Sequence, residues 1–127
     1  MKTHTFLSVL VLLAMMVSCK KSTLNPIEGT WSITSYVNNG TDKTSQFAPY
    51  TFSFNNNGKL SISNVGMMNM CNFSIKDNIY HFNMMGMHNE PLSELDDNWM
   101  LMNLTDSTCS FIDDNLNRNC SFMMHRR

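Results

Sequence analysis

No C-x-x-C or H-x-x-x-H spacing occurs in the 127 residues. A zinc site of the ordinary kind is therefore not written into the chain. No G-x-S-x-G motif is present, which removes the usual nucleophile elbow. Beyond residue 18 the only histidines are His81, His88 and His125, so general-base chemistry has few candidates. Basic residues are also scarce: past residue 18, eight Lys and Arg stand against ten Asp and Glu, a net charge of −2. Nothing there builds a strongly basic face, so nucleic acid is not an expected partner. β-branched residues are few for a chain that alternates as this one does, and Asn and Met take their places.

What is present begins with a basic tip and a twelve-residue run, FLSVLVLLAMMV (6–17), apolar but for Ser8. Twelve fall short of the roughly 20 that cross a bilayer as a helix, but they suit the h-region of a secretory signal. No later apolar run approaches that length. The run ends in MMVSCKKS, with small Ser18 directly before Cys19. This resembles a bacterial lipobox, although Met16 stands where leucine is usual. The expectation is a lipoprotein-type signal peptide over 1–18, lipidation of Cys19, and a lipidated tether over 19–26 whose KKSTLNP is polar and ends in proline. Cleavage as an ordinary signal peptide is the alternative. The expected location is the cell envelope, anchored to a membrane, most simply the outer membrane facing the periplasm or the cell surface.

The remaining 109 residues make one small domain. Period-two alternation recurs along it, and helical spacing does not. TWSITSYV places Trp31 and Ile33 on one side. YTFSF places Tyr50, Phe52 and Phe54 on one face; NNNGK turns, and LSIS follows with Leu60 and Ile62 alternating. NMCNFSI and IYHFNM flank a turn at 76–78, which sets Ile75 opposite Ile79, Phe73 opposite His81 and Met70 opposite Met84. EPLSELDDN interrupts the strands with a short helical turn or loop, and WMLMNL, CSFI and CSFMM complete the set. About eight short strands with short links make an up-and-down antiparallel barrel, an all-β fold over 27–125. Three cysteines remain after Cys19. Cys109 and Cys120 are the better pair for one disulfide, and free buried thiols are the alternative.

IEGTWSITSYVNNG, with Gly29 and Trp31, resembles the Gly-x-Trp opening of lipocalins. TSQFAPYTFSFNNNGKLSIS and PLSELDDNWMLMNLTDSTCSF are similar to the small lipocalin-like domains of lipoproteins from Gram-negative bacteria. The resemblance spans about 27–125. It implies a compact lipocalin-like barrel tethered to a membrane by its N-terminus and no enzyme activity. It names no cofactor. One departure is MCNFSI, where Phe73 stands in place of a tryptophan and Cys71 in place of a glycine. Trp31 reads as packing at the bottom of the barrel.

A non-enzymatic binding module follows, for a small apolar ligand or an envelope protein partner. An eight-strand barrel holds one small ligand or is filled by its side chains. Lining candidates are Trp31, Phe52, Phe54, Phe73, His81, Leu101 and Phe111. The alternative rests on the methionines of NVGMMNMCNFSIKDNIYHFNMMGMHNE (64–90). Thioether and imidazole suit soft metals such as Cu(I). Neighbouring methionines in a strand point to opposite faces, so only the pairs Met68/Met70 and Met85/Met87, with His88, form a candidate copper set near one rim. Flexible core filling and codon bias explain the same residues without a metal.

Overall fold

The computed structural model describes residues 26–84, 87 and 91–127. The stretch read as a signal peptide (1–18), Cys19, Met85 and His88 lie outside the described residues. The strands are β1 (Gly29–Asn38), β2 (Thr41–Asp42), β3 (Thr51–Phe54), β4 (Lys59–Asn64), β5 (Met67–Lys76), β6 (Ile79–Asn83), β7 (Asn98–Leu104), β8 (Thr108–Asp113) and β9 (Cys120–Arg126). One helical turn, α1 (Thr44–Phe47), and two 3₁₀ turns, Leu92–Leu95 and Leu116–Arg118, fill links at one end. Sheet order is β2-β1-β3-β4-β5-β6-β7-β8-β9, and β9 pairs again with β1. All pairings are antiparallel, and β2 pairs only with β1. The result is a closed antiparallel barrel of eight strands, with β2 as a flap, the fold expected from the alternation. Closure removes the open edges that make β-sheets prone to association.

Alternation decides what faces inward. Phe52 pairs with Ile62 and Phe54 with Leu60, and all four are buried, as the expected hairpin requires. In β1 the strict alternation breaks. A bulge between Ile33 and Ser35 shifts the register, so Trp31, Ile33 and Tyr36 all point inward. A second bulge between Leu101 and Asn103 leaves Met102 exposed.

The β5–β6 register differs by one residue from the sequence expectation. The turn is Asp77 and Asn78 alone, both at positive φ (50° and 67°), the pattern of a two-residue I′ hairpin. Lys76 therefore faces Ile79, and Phe73 faces Phe82. Because side chains alternate every residue, this slip exchanges faces. His81 lands opposite Ser74 on the outside, and Met70 lands opposite Ser61 of β4 rather than Met84. Met67 and Met68 belong to β5 itself, not to a segment beyond it. The β4–β5 link is only Val65 and Gly66, and Gly66 supplies the positive φ (76°) that closes it.

The interior is one cluster of buried residues dominated by rings. Phe122 meets Trp99 at 4.7 Å and Phe111 at 4.8 Å between ring centroids. Phe54 meets Phe73 at 5.1 Å, and Tyr80 meets Phe111 at 5.2 Å, both edge-on, the arrangement that aromatic quadrupoles favour. Cys71, Cys109 and Cys120 are buried free thiols. Cys109 sits opposite Met124, and Cys120 opposite Asn38. Four residues of β9 separate those two levels, about 13 Å at strand rise, far beyond disulfide reach.

Candidate functional site

The two ends of the barrel are built differently. At the lower end β1 begins and β9 finishes. The Trp31 indole donates from Nε1 to Ile27 O at 2.9 Å. The Arg126 guanidinium stacks over that ring, 4.3 Å from its centroid. The same guanidinium donates to Asp106 O at 2.7 Å, Glu28 O at 2.6 Å and Pro26 O at 3.2 Å. Gly29, at φ +133°, lets this latch pass close to the chain: a Cβ there would collide with Arg126 Nη1. This end is a seal, and Trp31 is its floor, in keeping with the packing role read from the sequence.

At the upper end, apolar side chains plug the bore. Phe47 of α1 lies tilted against Tyr36 with ring centroids 4.4 Å apart, and Leu92 and Leu95 of the 3₁₀ turn are buried. A 3₁₀ turn eclipses i and i+3, which is why both leucines point down together. Trp99 anchors that turn by donating from Nε1 to Leu95 O at 3.0 Å. Above the plug lies an open cleft of about 480 Å³ between the two 3₁₀ turns.

Its walls are polar and fixed. On one side Glu94 accepts from Lys43 Nζ at 2.8 Å and from Asn38 Nδ2 at 3.2 Å. The plug is thereby clasped to β1 and the β2 flap. Burial works against the ionised form of Glu94, but the Lys43 ammonium and the Asn38 amide outweigh it and hold the carboxyl below its ordinary range. On the other side the buried Asp113 accepts from Asn115 N at 2.7 Å and lies 3.7 Å from Arg118 Nη1. Arg118 also pairs with Asp97, bridging the two turns across the cleft. The floor is Tyr36 and Cys120, with the thiol 3.5 Å from the Tyr36 hydroxyl. Burial pushes the Cys120 thiol up, and burial followed by Cys120 pushes the phenol far up. Both groups are therefore neutral hydrogen-bonding groups in ordinary buffers. No histidine is among the described residues that line the cleft.

The Glu94 clasp has a pH signature. A carboxylate whose folded-state pKa is depressed contributes stability above its unfolded pKa and loses it as pH falls through the folded one. Wild type is expected to lose more stability than Glu94→Gln as pH drops from neutral through the carboxylate range. Urea midpoints at each pH read this directly. Asp42, also held low by the Thr44 hydroxyl and amide, titrates nearby, and Asp42→Asn separates its share.

The sequence candidates divide by location. Trp31, Phe52, Phe54, Phe73 and Phe111 point inward and are buried, and Leu101 is half-buried against the same core. His81 is on the opposite face, exposed, with Nδ1 2.8 Å from Asn98 Oδ1. It lines a separate outer cleft of about 390 Å³ with Lys76 and Ile79. Met68 and Met70 share the outer face of β5, whereas Met87 packs against the core and donates its N–H to Met84 O at 2.9 Å. Among the described residues no cluster of three or more His, Cys, Asp or Glu is arranged to hold a metal ion. The cleft residues Tyr36, Glu94, Asp113 and Arg118 are absent from the sequence-based candidates. Each reads locally as strand filling or turn polarity, and barrel closure brings Tyr36 and Glu94 to the link that holds Asp113 and Arg118.

No protein-family model and no curated protein matches the sequence. Two solved structures resemble the fold. A lipocalin-like protein from Bacteroides uniformis superposes with a TM-score of 0.56 at 14% identity, covering 81% of this chain and 99% of that one. An uncharacterized protein from Bacteroides eggerthii gives a TM-score of 0.55 at 10% identity, covering 79% and 98%. The barrel is therefore lipocalin-like in architecture. At such identities the likeness concerns the fold and carries no ligand with it.

Proposed function

We propose that this chain is a membrane-anchored lipoprotein of the cell envelope whose lipocalin-like barrel is a non-enzymatic binding module, and that it binds at the upper-rim cleft. The observation that carries this reading is the contrast between the two spaces. Inward-facing rings contact one another through the bore, while fixed donors and acceptors converge on a cleft of about 480 Å³ above it. Ligand sites in general combine a concave space with a few well-placed polar groups. The occupant is accordingly a small polar molecule, or a polar side chain presented by an envelope protein partner. An apolar ligand in the bore would need the ring cluster and the Leu92/Leu95 plug to separate. Neither nucleic acid nor a cofactor is part of this reading.

The anchor reading rests on the apolar run and Ser18 before Cys19. Pro26 sits at the lower end, held by Arg126, so a tether preceding it would start from the end opposite the cleft. Palmitate labelling of cells tests the address: wild type is expected to take label and Cys19→Ala is not. Equal absence of label in both overturns lipidation. For the cleft, amide chemical shifts are followed while small amines, amino acids and sugars are titrated in turn. Saturable shifts at Asn38, Glu94 and Arg118 support the proposal. Shifts confined to Phe54, Phe73 and Phe111 overturn it.

A further inference from the structure

Methionine ordinarily serves as flexible filling inside a core. Here Met84 and Met124 do so, at 2% and 0% exposure. Met67, Met68, Met70, Met102 and Met123 do not: they are 60%, 69%, 59%, 56% and 40% exposed. Three of these cluster at the start of β5, beside the fully displayed Val65, and pair with Asn64, Ser63 and Ser61 of β4. Neither packing nor the rim cleft uses them. The thiols of the described residues are shielded. Cys71, Cys109 and Cys120 are buried, and burial pushes Cys71 up to about 11 and Cys109 up to about 12. A buried thiol that stays protonated is a poor nucleophile toward oxidants. Among the described residues, the first sulfur that a diffusing oxidant meets is thus a surface thioether.

We propose that the solvent-facing methionines are an oxidation site of this protein, taking one oxygen each from peroxide- or hypochlorite-class oxidants and sparing the sulfurs inside the barrel. In each event the sulfur lone pair attacks the electrophilic oxygen. An S–O bond forms as the O–O or O–Cl bond breaks. Sulfur loses two electrons to give the sulfoxide, and the oxidant leaves as water from a peroxide or as chloride and a proton from hypochlorous acid. The sulfoxide is polar and reversible by reductases. On an outward strand position it stays hydrated, so the fold tolerates it. At Met124, wedged inside, it would be an unsolvated dipole. One residue is distinguished in advance. Met70 Sδ accepts a hydrogen bond from Ser61 Oγ at 2.9 Å, which engages a lone pair the reaction needs. Met70 therefore lags Met68, although the two are similarly exposed.

The test is limiting hypochlorite, then peroxide, added to the folded protein, with sulfoxide at each methionine read by peptide mass spectrometry. Met68 is expected to react at least about tenfold faster than Met84 and Met124. All three thiols should remain titratable after unfolding. Ser61→Ala is expected to bring Met70 level with Met68. Replacing Met67, Met68, Met70, Met102 and Met123 with leucine is expected to lower the hypochlorite dose at which the thiols are lost. Core and surface methionines reacting in step, or thiols lost first in wild type, overturns the proposal. An unchanged thiol dose in a folded five-leucine variant overturns the sparing role.

Discussion

Replacing Trp31 with alanine is expected to remove about 3–5 kcal/mol of stability, the range for emptying a fully buried tryptophan site. The indole is wholly inaccessible, and three things go with it: its volume, the Nε1 bond to Ile27 O, and the surface on which Arg126 stacks. Arg126→Lys should cost less, about 1–3 kcal/mol, because an ammonium is a poor substitute for a planar fork holding three carbonyls around a ring. Gly29→Ala approaches the same defect from the other side, by driving its Cβ into the guanidinium and straining a backbone at φ +133°. The two substitutions disable one latch, so their effects in the double variant are expected to sum to less than the separate losses. Urea unfolding midpoints measure all four proteins. Full additivity would mean that the latch does not act as a unit.

Phe122→Ala should be as severe, about 3–5 kcal/mol, for a different reason. Phe122 of β9 is the hub of the ring cluster: it touches Tyr36 at 6.2 Å, Phe82 at 6.3 Å, Trp99 at 4.7 Å and Phe111 at 4.8 Å. Those neighbours come from β1, β6, β7 and β8, so they cannot all collapse into the space without distorting separate strands. The hole left is apolar and dry, and a cavity of that kind binds benzene-sized molecules. The variant is therefore expected to gain a benzene-induced rise in unfolding temperature that wild type lacks. A loss well below this range, with no benzene effect, would mean that the bore is loosely packed already.

Much of the fold was legible because the signals were local. Tyr50 to Ile62 carries alternation, an Asn-rich turn and alternation again, and it folds as that hairpin. Trp31 at the head of β1 reads as a floor and is one. What failed was one residue of register at β5–β6. A turn assigned to 76–78 uses only Asp77 and Asn78, and period-two side chains convert that small error into an exchange of faces for His81 and Met84 of the second strand, while Met70 keeps its outer face and changes only its partner. The bulge after Ile33 is likewise invisible to alternation, since it breaks the rule by which the strand was found. The rim cleft was not legible at all. Glu94 sits in EPLSELDDN, which reads only as a short helical turn or loop, and Asp113 follows CSFI with no signal of its own. Their meaning comes from Lys43 and Asn38, 51 and 56 residues from Glu94 and brought to it by barrel closure, and from Arg118, which folds back on Asp113 across the 3₁₀ link.

The central claim is that the bore is filled and binding belongs to the rim. A fluorescence titration of the wild-type domain with cis-parinaric acid, a slender apolar probe, tests it most directly. The filled barrel predicts no saturable enhancement, and predicts that enlarging the bore by Phe122→Ala is needed before a small apolar molecule is held. One-to-one saturation by the wild-type domain, with quenching of Trp99, would contradict the account and return the function to the interior.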